Sequence, residues 1–331
     1  MPGDKRGTVL FFCGHRSTFG LQALAALQDS RLRPDYLILA KAARWQQFDR
    51  QLNQQVQKTV RQRWRARLVA ARQYLLLLRI WLRRPMHIKW VGDVHEPAFL
   101  AWVQKQEGLV GIAAAFPQLF RPTVLIPFQG AIYNLHPSDL PNFAGAHPHF
   151  WAIRTGAEQL GLTAHEMTPK IDEGPIWAQT TFSIKGLRYR QLYKKIGRKL
   201  PELIGQLERQ LLDIGAATGI SYAAKHRFRN NQVEDSRIDW SGQESKEILQ
   251  IIRTETAFCY LGEEKIRIWE AIPADLLGEQ PGQIAQISNL GIEVYCKNGG
   301  MLIQTLKIGP RLQAATQFAK QRSLQAGHSF S

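Results

Sequence analysis

Residues 130–177 read GAIYNLHPSDLPNFAGAHPHFWAIRTGAEQLGLTAHEMTPKIDEGPIW. The apolar run Ala131–Leu135 alternates into Asn134 and His136 and breaks at Pro137. That is the pattern of a buried strand with polar groups at its C-terminal end. Side chains two positions apart leave a strand on one face, so Asn134 and His136 point the same way. A second strand-like run, Gly161–Met167, carries Thr163 and His165 on one face and leads into a loop with Asp172 and Gly174. An amide, an imidazole and a carboxylate on strand ends and loops suit a site that moves a proton and holds a developing oxyanion. Each residue also has a plainer use: Asn134 can cap a turn, His136 can be a hydrogen-bonded core residue, and Asp172 can serve its own loop.

Outward from this stretch, strands and helices alternate. Strands are expected at Thr8–Cys13, Pro34–Leu39, Met86–Val91 and Gly108–Ala115, with helices at Leu21–Leu27 and Pro97–Gln106. Continuously apolar strands between helices predict an α/β fold, a mostly parallel Rossmann-like sheet covered by helices on both faces. Ligands of such sheets bind beyond the carboxyl ends of the strands, where Asn134 and His136 lie. The corner Gly14-His15-Arg16-Ser17 is either an anion site at a helix N-terminus or an ordinary strand–helix turn. It lacks the spacing of a dinucleotide fingerprint.

Toward the C-terminus, Phe150–Thr155 is expected as helix and Ile176–Ile184 as strand. Tyr189–Ile214 is an amphipathic helix with Leu192, Ile196, Leu200, Leu203, Leu207 and Leu211 on one stripe, which Pro201 should kink or divide. Lys225–Asp235 is polar and reads as linker. After it come a helix, Ser245–Thr254, and short strands at Ala257–Leu261, Lys265–Ile272, Gly282–Ile287, Gly291–Cys296 and Met301–Ile308. Such short strands between Gly and Asn turns indicate a small β-barrel. The expected division is a catalytic domain over 1–190, a helical linker over 191–234 and an oligonucleotide-fold-like barrel over 235–331.

The 331 residues carry a formal net charge of +16, which suits a polyanionic partner or a phosphate-bearing substrate. Thirteen lysines and arginines and a single acid, Asp49, fall within 41–89. There Trp64, Leu68, Ala71, Leu75, Leu78 and Leu82 recur at helical spacing. This segment reads as one or two basic amphipathic helices with three uses: a core face opposite a solvated face, contact with substrate phosphates, or an anionic membrane surface. The three cysteines, Cys13, Cys259 and Cys296, have no metal-ligand spacing and cannot all pair, which argues against a disulfide framework. The N-terminal residues lack a signal-peptide layout, and no apolar run approaches ~20 residues. A cytoplasmic protein without a metal is the expectation.

The ordered residues Asn134, His136, Ser138, Leu140, Pro141, Gly145, Gly161, Thr163, His165, Asp172 and Gly174 resemble the shared pattern of the folate-dependent formyltransferases, strongest over about residues 110–185. The resemblance implies Asn134, His136 and Asp172 as a catalytic trio and 10-formyltetrahydrofolate as formyl donor. It implies donor contacts along Phe116, Pro117, Gln118, Leu119 and Phe120 and along Met167, Thr168, Lys170 and Ile171. Gly14, His15, Arg16, Ser17, His147 and His165 would face the amine acceptor. Methionyl-tRNA or a similar aminoacyl substrate is expected first, because Ile238-Asp239-Trp240 and the barrel resemble the C-terminal domain of the tRNA-formylating members. The run Gly145-Ala146-His147-Pro148-His149 and His165 are instead similar to the glycinamide ribonucleotide and amino-sugar members, and Ala144 stands where many members have Arg. A nucleotide-linked amino sugar or a carrier-bound aminoacyl group is therefore the alternative acceptor. A non-catalytic RNA-binding paralogue is the alternative of another class.

Overall fold

Two cores organise this computed structural model, which describes all residues except 1–6, 16, 42–59, 214–218, 223–226, 277, 279 and 310, with only the backbone described for 60–70. The chain divides into one unit of Met1–Ala144, Gly161–Thr181 and Tyr193–Arg227 and a second of Gly145–Leu160, Phe182–Leu192 and Phe228–Ser331.

In the first unit, β1 (Val9–Cys13), β2 (Tyr36–Ala40), β3 (His87–Val91), β4 (Val110–Ala114), β5 (Ile132–His136), β6 (Gln159–Glu166) and β7 (Ile176–Ser183) form one sheet in the order β3-β2-β1-β4-β5-β6-β7. The strands from β3 to β5 pair in parallel, and β5 pairs with β6 antiparallel. All five residues of β1 are buried, as an all-apolar strand in the middle of a helix-covered sheet must be. Phe12 anchors the core on one face, with Phe99, Phe120, Phe128 and Ile132 packed around it. Helices α1 (Thr18–Leu27), α2 (Val60–Arg83) and α3 (Pro97–Gln104) make the crossovers.

Two expectations change here. The stripe Leu75, Leu78 and Leu82 of α2 does not form a core face: all three are exposed, and within 71–83 only Leu77 and Ile80 are buried. The part of the basic segment at 42–59 lies outside the described residues. Pro201 does not divide the long helix, which runs unbroken over Tyr189–Leu212. A proline removes one backbone bond and crowds the carbonyl four residues earlier. Here Leu192, Ile196 and Leu200 before it and Leu203, Ile204 and Leu207 after it form one buried apolar stripe. Burying six such side chains outweighs that local cost of about 3 kcal/mol.

The second unit holds a helix, Ser245–Arg253, and the strands Phe258–Leu261, Glu264–Ala274, Ile284–Ser288, Gly291–Cys296, Gly299–Ile308 and Arg311–Ala314. Their pairings are antiparallel, and the core includes Ile238, Trp240, Ile268, Ile303 and Phe318. The two outermost strands are Phe258–Leu261 and Ile284–Ser288. The chain end bridges them. Ile284 N–H donates to His328 O, Phe330 N–H to Gly282 O, and Tyr260 and Ser331 exchange both backbone bonds. The sheet is thereby closed as a barrel, which removes its unpaired edges.

Candidate active site

Strand β5 carries Asn134 and His136 at alternate positions, and the antiparallel register with β6 sets Asn134 opposite His165 and His136 opposite Thr163. All four side chains therefore share one face. Asn134 Nδ2 lies 3.1 Å from His165 Nε2, and His165 Nδ1 lies 3.0 Å from the Glu166 carbonyl. Only an N–H can donate to that carbonyl, so Nδ1 carries the proton and Nε2 accepts from the Asn134 amide. This is a neutral imidazole. Burial pushes the His165 pKa down, the neighbouring His136 pushes it the same way, and Asp172 and the Glu166 carbonyl pull against them.

Asp172 enters from the loop after β6. Its Oδ1 is 3.7 Å from His136 Nδ1 and 3.8 Å from His165 Nε2. Both separations are longer than a hydrogen bond. His136 Nε2 is 3.3 Å from the Phe143 carbonyl. The loop reaches the site because Gly174 packs against β6: a Cβ there would sit 1.8 Å from the Glu166 carbonyl oxygen. Asp172 itself has φ of 53°, a left-handed conformation that Asp tolerates better than most residues. Tyr222 Oη donates to the Asp172 carbonyl, and Arg227 donates to the Ile171 carbonyl and to Glu173 Oε1. Spacing along the chain does not reveal these two supports, because they arrive some fifty residues later.

Thr163 shapes the other wall. Its hydroxyl donates to Ser138 O at 2.6 Å and accepts from Leu140 N–H at 3.2 Å, and Gln179 Nε2 adds bonds to Thr163 Oγ1 and Leu140 O. Gly161 lets this turn approach, since a Cβ there would fall 2.6 Å from Asp139 Cβ. The motif thus divides its labour: Gly161 makes room, Thr163 staples the turn and His165 meets Asn134.

Phe116 and Phe120 pack edge-on against Phe12, and Gln118 bridges Val94 N–H and Gly92 O, so this loop lies on the core beyond the end of β4. Pro117 is half-buried and Leu119 exposed. Met167 packs on the same core as Phe116, and its N–H donates to Ile132 O. Thr168 Oγ1 donates to Lys170 O, while Lys170 and Ile171 are exposed. Gly14 N–H donates to Ala115 O, His15 lies near Trp90, and Ser17 caps α1 by accepting from Gly20 N–H. Arg16 lies outside the described residues. His147 and His149 belong to the second unit, where His149 Nε2 is 2.8 Å from Tyr189 Oη and His147 precedes the helix Pro148–Arg154. Among the described residues no cluster of three or more His, Cys, Asp or Glu could hold a metal ion.

This is a Rossmann-like domain with an amide–imidazole–carboxylate site beyond its strands, joined to a β-barrel unit. Residues 87–202 match the model of the formyl transferase family, and residues 231–323 match its C-terminal domain. The two matches together span more than half of the chain, which belongs to the folate-dependent formyltransferase family. Among solved structures, HypX from Aquifex aeolicus is 15% identical with a TM-score of 0.57; the match covers 95% of this chain and 49% of HypX, so the chain spans about half of that protein's length. WlaRD, a sugar 3N-formyl transferase solved with dTDP and 5-N-formyl-THF, is 15% identical with a TM-score of 0.60, covering 92% of this chain and 98% of that one. The N-formyltransferase from Helicobacter canadensis, solved with folinic acid and dTDP-3-aminofucose, is 15% identical with a TM-score of 0.59, covering 90% and 98%.

Proposed function

We propose that this chain transfers a formyl group from 10-formyltetrahydrofolate to a primary amine. The observation that carries the reading is the set of half-buried Asn134 and buried His136, His165 and Asp172 at the carboxyl end of β5, in a chain of this family. The donor fits the residues present. The segments 116–120 and 167–171 share a core through Phe116 and Met167, and they expose Leu119 and Ile171 as an apolar rim for a flat ring. The neighbours solved with folates are consistent with this.

When bound, the donor supplies the formyl carbon and an amine leaving group. The chain's own residues do the rest. The Asn134 amide gives one N–H to His165 and keeps a second for the oxygen that gains charge as the amine attacks. His136 takes and returns the proton passed between incoming and leaving nitrogens. The Asp172 carboxylate stands beside that imidazole, facing the positive charge the ring carries while it holds the proton. Neutral His165 fixes the Asn134 amide so that its N–H points into the site.

The acceptor proposed first is methionyl-tRNA or a similar aminoacyl substrate, supported by the match to the family's C-terminal domain. A nucleotide-linked amino sugar is the second reading, favoured by the full-length similarity to two enzymes of that kind. The test is a formyl-transfer assay with the donor fixed and three acceptors: methionyl-tRNA, a dTDP-linked amino sugar and glycinamide ribonucleotide. Turnover of an amino sugar alone reverses the ranking. No turnover of any acceptor, with no stabilisation by a folate analogue and with salt-sensitive RNA binding, moves the chain to the RNA-binding class.

A further inference from the structure

Helix α2 inverts the usual surface helix. Within 71–83 its buried side is a narrow stripe of Leu77 and Ile80. Its outward side is apolar: Tyr74 is 50% exposed, Leu75 56%, Leu78 48% and Leu82 64%. At 3.6 residues per turn these four fall on one face, with Ala71 among them. Arg72, Arg79 and Arg83, spaced by seven and four, form a row along one flank of that face. Tyr74 and Trp81 lie along the other, and Trp81 Nε1 donates to Met86 O. The following strand exposes Ile88 and Trp90 as well. An exposed run of this size requires an occupant, because leucines at these positions gain nothing from water.

We propose that this face docks on an anionic lipid bilayer, with α2 lying in the plane of the headgroups. Charge decides among the occupants. Within 71–83 the helix carries three arginines and no acidic residue, and Arg83 is paired with Asp29. A second copy of a chain with net charge +16 would bring like charge against like. RNA would engage the arginines and leave Leu75, Leu78 and Leu82 against water. A bilayer with anionic headgroups takes both features at once: leucines enter the acyl boundary, arginines meet phosphate, and aromatic rings sit at the interface. Among the described residues no helix is long and apolar enough to cross a membrane, so the helix lies on the surface rather than spanning it.

The test is flotation of the full chain with phosphatidylcholine vesicles, pure or containing roughly one-third phosphatidylglycerol. The expected result is association with the anionic vesicles only, weakening as salt is raised. Changing Leu75, Leu78 and Leu82 together to Ser should lower partitioning by at least tenfold without changing the melting temperature, because the three are exposed. Arg72→Gln with Arg79→Gln should lower it about fivefold per arginine. Quenching of tryptophan fluorescence by brominated lipid should fall in Trp81→Phe. The proposal is overturned by failure to bind anionic vesicles at low salt, or by triple-serine binding equal to wild type. Two other results overturn it: RNA binding that the serine changes leave intact while vesicles compete poorly, which assigns the face to RNA; and a concentration-dependent dimer that the serine changes abolish, which assigns it to a second copy.

Discussion

Replacing Asp172 by Asn keeps the size of the side chain and removes its charge. The loop should stay in place, because Tyr222 and Arg227 hold it through the carbonyls of Asp172 and Ile171 and not through the carboxylate. The carboxylate oxygen stands 3.7 Å from His136 Nδ1. A unit charge pair at that separation is worth roughly 4 kcal/mol at an effective dielectric of about 20. If His136 must carry a proton as the oxyanion forms, losing that interaction should lower kcat by about 10³-fold. The assay is steady-state formyl transfer with the donor and the best acceptor, alongside thermal shift with a folate analogue. Donor binding should be retained, since the segments proposed to hold the donor, 116–120 and 167–171, are untouched. His136→Ala should cost at least about 10²-fold, and the double variant should be little worse than the worse single, because the two groups act as one unit. A kcat within tenfold of wild type for Asp172→Asn, or fully additive losses in the pair, would refute the assignment.

Three further outcomes follow from other contacts. His165 has a pKa depressed in the folded chain, so the unfolded chain binds its proton first as pH falls; the stability it contributes is complete above the ordinary imidazole value and is lost toward acid, and His165→Asn should flatten the melting temperature between about pH 6.5 and 4. Gly174→Ala places a Cβ 1.8 Å from the Glu166 carbonyl oxygen, which must displace the Asp172 loop; a loss of about 1–3 kcal/mol in chemical denaturation and a fall in kcat are expected, and a wild-type kcat would show that the loop position is immaterial. Phe330 is buried at the closure of the barrel, so Phe330→Ala should cost about 3–5 kcal/mol in the second unit, read by hydrogen exchange at Tyr260 and Ile284.

The local pattern of this sequence reached a long way. A period of two in Ala131–His136 is enough to put Asn134 and His136 on one face, because strand geometry alone dictates it. Apolar runs between helical stretches specify a helix-covered parallel sheet, and short strands with Gly and Asn turns specify a second β unit. Spacing does not encode how far one segment stands from another. The contact of His165 with Asn134 depends on the register between β5 and β6, and a slip of one residue would send it to the opposite face. The supports from Tyr222 and Arg227 and the closure by Gly327–Ser331 join residues far apart in the chain, so only the folded structure reveals them. Helix α2 shows the limit most clearly. Periodicity identified which of its leucines share a face, but which way that face looks is set by what α1 and the sheet leave room for, and tertiary packing turned it outward.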